Sequence, residues 1–167
     1  MTAWSFEIAN EFIRRAKAEG RALTQMQLQK LVYIAHGWNL AINGAPLTKD
    51  DPHAWDYGPV YKDLREVLRN YGPDEVSREI IYRDSAYGSF LSDNTEKLAV
   101  ATLSKPEIEV IDRVFTDYGK FHAFQLSALT HQDGSPWDTV YAKGEGKNKV
   151  IEPGLIKDYF IALATSS

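Results

Sequence analysis

The chain has 167 residues, 44% hydrophobic and 25% charged, with a net charge of −4 and no cysteine. That length suits one domain with a buried core, and the missing thiols exclude a disulfide framework and any thiolate ligand or nucleophile. The acidic balance runs against the basic face of a nucleic-acid binder, and no apolar run reaches the length of a signal-peptide core or a membrane span, so the reading is a soluble cytoplasmic protein folded as a single domain over residues 1–167.

The first helix is expected over about residues 3–18. Ile8, Ala9, Phe12, Ile13 and Ala16 recur on one helical face, and Gly20 stands where a C-terminal cap belongs. Thr24-Gln25-Met26-Gln27 is a capping-box pattern. It opens a second helix that runs to about Asn43 and stops at Gly44 and Pro46. Leu28, Leu31, Val32, Ala35 and Ile42 form its stripe, and Tyr33, Ile34, Trp38 and Leu40 widen that stripe to most of the circumference. A helix apolar nearly all round is covered by neighbours, so this one is expected at the centre.

Residues 45–58 contain Pro46 and Pro52 and read as irregular or briefly extended. In "AWDYGPV" (54–60), Pro59 is expected at the first position of a third helix, where its missing N–H costs nothing. Val60, Tyr61, Leu64, Val67, Leu68 and Tyr71 then follow helical spacing up to Gly72-Pro73. "REIIYRD" (78–84) suits a short strand and "AYGSFLSDN" (86–94) a turn and loop, which together allow a small β-hairpin. Ser104-Lys105-Pro106-Glu107 is a second capping box, followed by Ile108, Ile111, Val114, Phe115 and Tyr118 on one face and closed by Gly119. Shorter helices are expected over about 122–131 and from Pro136, then a basic loop "KGEGKNK" (143–149), then a last helix from Pro153. The fold class is mainly α: a compact bundle of about six to seven helices around a buried central helix, with room for one small β-hairpin.

Catalytic chemistry finds little support. His36, His53, His122 and His131 make no H-E-x-x-H pair, no Gly-x-Ser-x-Gly elbow is present, and "GEGKNK" lacks the first Gly and the Ser/Thr of a P-loop. No catalytic residue, metal site or cofactor is assigned. The first two helices could be arranged as a helix-turn-helix offering Gln25, Gln27, Gln29 and Lys30 to base edges, but a helix so apolar has little surface to place in a groove. Trp, Tyr and Arg dominate protein interfaces. Trp55, Tyr57, Tyr61 and Arg65 lie together around the third helix entry, so they are the expected partner-binding residues, extended by Trp137. The competing role for Trp55 and Tyr57 is to seal the third helix against the second.

Four stretches taken together carry a resemblance: "MQLQKLVYIAHGWNLAINGAPL" (26–47), "AWDYGPVYKDLREVL" (54–68), "LTHQDGSPWDTVY" (129–141) and "VIEPGLIKDYF" (150–160). In this order and spacing the chain resembles the Panacea domain family, also described as SocA-like or phage-associated GepA-like proteins, from about residue 5 to residue 163. The resemblance implies an antitoxin of a bacterial or phage toxin–antitoxin pair that neutralises a cognate protein toxin by direct complex formation. One member of the family acts as a proteolytic adaptor that hands its toxin to ClpXP. The positions that match are Gln29, Lys30, Tyr33, Gly37 and Trp38, then Trp55, Tyr57, Gly58, Pro59 and Val60, and later His131, Pro136 and Trp137. No membrane partner is expected from the sequence, and direct nucleic-acid binding is not the expected role of so acidic a chain with no obvious appended helix-turn-helix domain. A DNA-binding regulator and a hydrolase using His131 or His53 remain the rival readings.

Overall fold

The long apolar helix lies at the centre. In the computed structural model, which describes residues 2–83 and 96–166, α1 (Ser5–Ala18), α2 (Gln25–Asn43), α3 (Lys62–Leu68), α4 (Lys105–Tyr118), α5 (Ala123–Thr130), α6 (Pro136–Tyr141) and α7 (Pro153–Thr165) are the α-helices among the described residues. α1, α4, α5 and α7 all pack on α2. The capping box forms: Thr24 N donates to Gln27 Oε1 at 2.8 Å, and Gln27 N to Thr24 Oγ1 at 3.1 Å. Gly44 closes α2 with a left-handed φ of 72°, a conformation that suits glycine. The stripe of α2 is buried except Ile42, which is 64% exposed at the end of the helix.

The α2–α7 contact depends on an absent side chain. A Cβ at Gly37 would lie 2.2 Å from Phe160 Cε2. Phe160 fills that space and meets Trp38 and Tyr33 edge-on, with centroids 5.1 and 6.2 Å away. Such edge-to-face pairs add to simple burial.

Buried polar groups fix the outlying segments. Asn10 donates Nδ2 to the carbonyls of Ile80 and Ala99 at 3.0 and 2.9 Å and accepts from Ile80 N at 2.6 Å. It thereby ties α1 to the base of an antiparallel pair, β3 (Ile81–Arg83) with β4 (Glu96–Leu98). The expected strand in 78–84 is therefore present, while the expected loop over 86–94 lies outside the described residues. His36 accepts at Nδ1 from Leu47 N and Thr48 N at 3.2 and 3.3 Å. Burial pushes its pKa down to about 4, so the imidazole is neutral at pH 7.

One expectation is overturned. "AWDYGPV" does not lead straight into a helix at Pro59. It forms a hairpin, β1 (His53–Trp55) with β2 (Gly58–Val60), joined by Asp56-Tyr57 and registered Trp55 opposite Gly58. α3 begins only at Lys62, with Tyr61 as its extended N-cap. The reason lies in α2. Gln29 Nε2 donates to Tyr61 O at 3.0 Å, and Tyr61 N donates to Gln29 Oε1 at 2.8 Å. This buried side-chain amide pairs with the backbone as a neighbouring strand would, and it holds Tyr61 extended. Pro59 fits in β2 because its missing N–H leaves no orphan donor at a sheet edge. On the far side, Ala54 N donates to Lys149 O at 2.9 Å and Asn148 N to Ala54 O at 2.8 Å, so the basic loop continues the pairing.

Gly37→Ala is expected to lower stability by about 1–3 kcal/mol, because the methyl group overpacks a filled space. Chemical denaturation of the two proteins checks it, and an unchanged midpoint would show that Phe160 yields freely.

Candidate functional site

The hairpin is held from three sides by groups that bond its carbonyls. From α6, Trp137 Nε1 donates to Trp55 O at 2.6 Å. From α5, Ser127 Oγ donates to Tyr57 O at 2.9 Å. From α2, Lys30 Nζ donates to Pro59 O at 2.8 Å. Tyr141 stacks on Trp137, with centroids 4.5 Å apart and planes 18° apart. Tyr141 also donates its hydroxyl to Asp56 Oδ1 at 2.6 Å, while Lys147 Nζ reaches Asp56 Oδ2 at 2.9 Å. Those two bonds, Tyr141 first, hold the Asp56 carboxyl below its ordinary pKa. The stretches at 26–47, 54–68 and 129–141 thus meet at one hairpin.

Beneath the hairpin opens a cleft of about 610 Å³, lined among others by Met26, Gln29, Lys30, Trp55, Tyr57 and Arg65. Arg65 lies over the Trp55 ring at 4.5 Å from its centroid, an attraction of the cation to the ring face. Tyr57 is 71% exposed at the hairpin tip. The Trp55 indole N–H is covered and meets no acceptor among the described residues. Phe124, 84% exposed on α5, adds a further apolar side chain to the surface of the helix that anchors Tyr57 O.

The expected site residues divide. Trp55, Tyr57 and Arg65 are brought together and line the cleft. Tyr61 and Trp137 are corrected: Tyr61 is 0% exposed and Trp137 8%. Both are aromatic rings turned inward as supports. The Tyr61 hydroxyl accepts from Thr48 Oγ1 at 3.3 Å, and Trp137 spends its N–H on Trp55 O. The helix-turn-helix arrangement fails for the same kind of reason. Gln29 and Lys30 are buried and bonded to residues 59–61, so neither stands out from the helix to enter a DNA groove.

His131, the hydrolase candidate, lies 3.3 Å from Ser127 Oγ through Nδ1. Ser127 is only 4% exposed and its proton is committed to Tyr57 O, so the pair braces the hairpin and presents no nucleophile. His53 is half-buried in β1, and burial holds its pKa down. Among the described residues no three His, Asp or Glu side chains gather as metal ligands, and no helix is long and apolar enough to cross a membrane.

Lys30 is the site residue that the sequence reading passed over as a possible base reader. It is 1% exposed, has no carboxylate within ion-pair distance among the described residues, and burial pushes its pKa down to about 7. Gly58 makes room for it: a Cβ there would lie 3.1 Å from Lys30 Nζ and 3.2 Å from Thr130 Oγ1, at a φ of 109° that already favours glycine. The sequence signal for Lys30 was its place inside a helix apolar on every side.

Residues 28–138 match the family described as Antitoxin SocA-like, Panacea domain. The chain is similar to Antitoxin SocA of Caulobacter vibrioides (strain NA1000 / CB15N), 32% identical over 142 residues that cover 84% of this chain and 71% of that protein. The chain belongs to the SocA-like Panacea domain family. No solved structure matches it.

Lys30 links stability to pH. Its folded pKa lies below the unfolded value, so between about pH 7 and 10 the unfolded chain binds a proton that the folded chain does not. Stability should therefore rise with pH across that window, by up to about 1.4 kcal/mol per unit. Above it, Tyr33 and Tyr61, whose pKa values burial raises, act in the opposite direction. Urea denaturation at intervals from pH 7 to 9 should show the rise in the native protein and its absence in Lys30→Met. An equal slope in both would place the titration elsewhere.

Proposed function

We propose that this protein is an antitoxin that neutralises a cognate protein toxin by direct binding, acting in the cytoplasm as one domain and without catalysis. The observation that carries the proposal is the braced hairpin, which presents Tyr57 outward beside the Trp55–Arg65 pair. An exposed Tyr, a partly covered Trp and an Arg with no carboxylate partner among the described residues are the residue types that anchor protein interfaces. A loop tied by three helices also gives up little conformational entropy on binding. The family relationship supports the class of partner, since the relative named above is itself described as an antitoxin. The finer form of the proposal is that the bound toxin is delivered to ClpXP, as the resemblance to an adaptor implies.

The test is co-expression with the protein encoded beside this one, scored by growth and by co-purification. Rescue and a stable complex are expected for the native protein. Arg65→Glu should leave the fold intact, since an exposed charge adds little to stability, and should cost on the order of 2 kcal/mol or more of affinity if Arg65 is in the contact. Lys157→Glu on α7 should rescue normally. Rescue that survives Arg65→Glu and fails with Lys157→Glu would move the contact to α7. A toxin half-life that shortens on complex formation only in cells with ClpX would support delivery, and an unchanged half-life would leave simple blockade.

A further inference from the structure

The charge of the cleft runs opposite to the charge of the chain. The net charge is −4, yet the cleft is lined by Lys30, Arg65 and Lys147, with Asp56 its one acidic residue. A second hollow of about 580 Å³ shares Gln25, Trp55 and Arg65 with the first and adds Lys62 and Arg69, against Glu66. The two hollows adjoin at these shared residues, with Arg65 lining both. Both acidic residues are already engaged: Asp56 with Lys147 and Tyr141, and Glu66 with Arg69 at 2.9 Å. Lys30, Arg65 and Lys62 have no carboxylate within 4.0 Å among the described residues. The groove therefore holds cations, Arg65 and Lys62 above all, that no carboxylate among the described residues balances.

We infer that this groove receives an acidic segment of the partner protein, with one Asp or Glu carboxylate seated against Lys30 and Arg65. The inference rests on the reading of this face as the partner contact, and it adds the chemistry of the partner. When protonated, Lys30 Nζ uses one of its protons on Pro59 O and has two more to give, and a carboxylate placed beside it favours that protonated form. A buried ammonium has lost most of its water, so a carboxylate that reaches it forms a charge-assisted bond at short range. An internal side chain fits better than a chain terminus, because Arg65 lines both hollows and a segment crossing both meets cations along its course.

The probe is a fluorescein-labelled hexaglutamate with blocked termini, followed by fluorescence anisotropy at low salt. Two companion probes are a hexaglutamine with a free C-terminal carboxylate and an oligothymidylate of similar length. The native protein should bind the hexaglutamate and bind the companions more weakly. Arg65→Glu should reduce that affinity by about ten-fold or more, Lys30→Met should also reduce it, and Lys157→Glu should leave it unchanged. Arg65→Glu decides the matter if Lys30→Met fails to fold. Absence of hexaglutamate binding, equal binding by Arg65→Glu, or preference for either companion overturns the inference. The two readings separate cleanly. Loss of toxin capture in Arg65→Glu without hexaglutamate binding leaves the contact face and removes the acidic ligand. Arg65-dependent hexaglutamate binding with toxin capture intact leaves the acidic groove and removes the face from the toxin contact.

Discussion

Two side chains of the central helix determine how the rest of the molecule is arranged. Gln29 exchanges two hydrogen bonds with the backbone of Tyr61, and Lys30 holds the carbonyl of Pro59. All of these groups are buried, and a buried donor or acceptor left unpaired costs about 1–3 kcal/mol. The polar backbone between hairpin and α3 can lie against an otherwise apolar helix only because α2 supplies the missing partners. Once residues 59–61 are fixed, Tyr61 must point inward, α3 must start at Lys62, and Arg65 falls one turn into α3 over the ring of Trp55. The arrangement of the outer face follows from the inner bonds.

Lys30 is an uneconomical way to hold a carbonyl. A neutral amide could do the same, without the loss of hydration that pushes this ammonium toward a pKa of about 7. Natural proteins retain such groups where function uses them, and a stability deficit at a site is the usual accompaniment. Gly58 leaves the amine its room in the packing beside the cleft. Lys30 supports the fold through Pro59 O from within a helix whose neighbouring residues are core.

Much of the helical frame was legible because its signals are local. The capping boxes at Thr24 and Ser104 marked the true starts of α2 and α4, Gly44 marked an end, and apolar spacing placed α1 and α7. The hairpin was not legible. Its two-residue connection, Asp56-Tyr57, lacks the Asn-Gly or Asp-Gly signal of a tight turn, and its stabilising partners lie on α2, α5 and α6, as many as 82 residues away in sequence for Trp137. Gly58-Pro59 therefore resembled a helix entry, where proline is equally at home. At the site, residue type was informative for Trp55, Tyr57 and Arg65 but misleading for Tyr61 and Trp137. Aromatic residues with a polar tip suit an interface and a buried hydrogen bond alike, and only the fold decides between them.

Site-resolved hydrogen exchange at the Tyr61 amide tests the central claim most directly, by comparing the native protein with Gln29→Met. If the α2 side chains hold the hairpin, the native Tyr61 amide exchanges as slowly as amides inside α2. In Gln29→Met it, and the amides of residues 53–60 that pair across the hairpin, should exchange much faster while α1 and α4 keep their protection. A Tyr61 amide that is unprotected in the native protein, or that stays equally protected in Gln29→Met, would contradict the account.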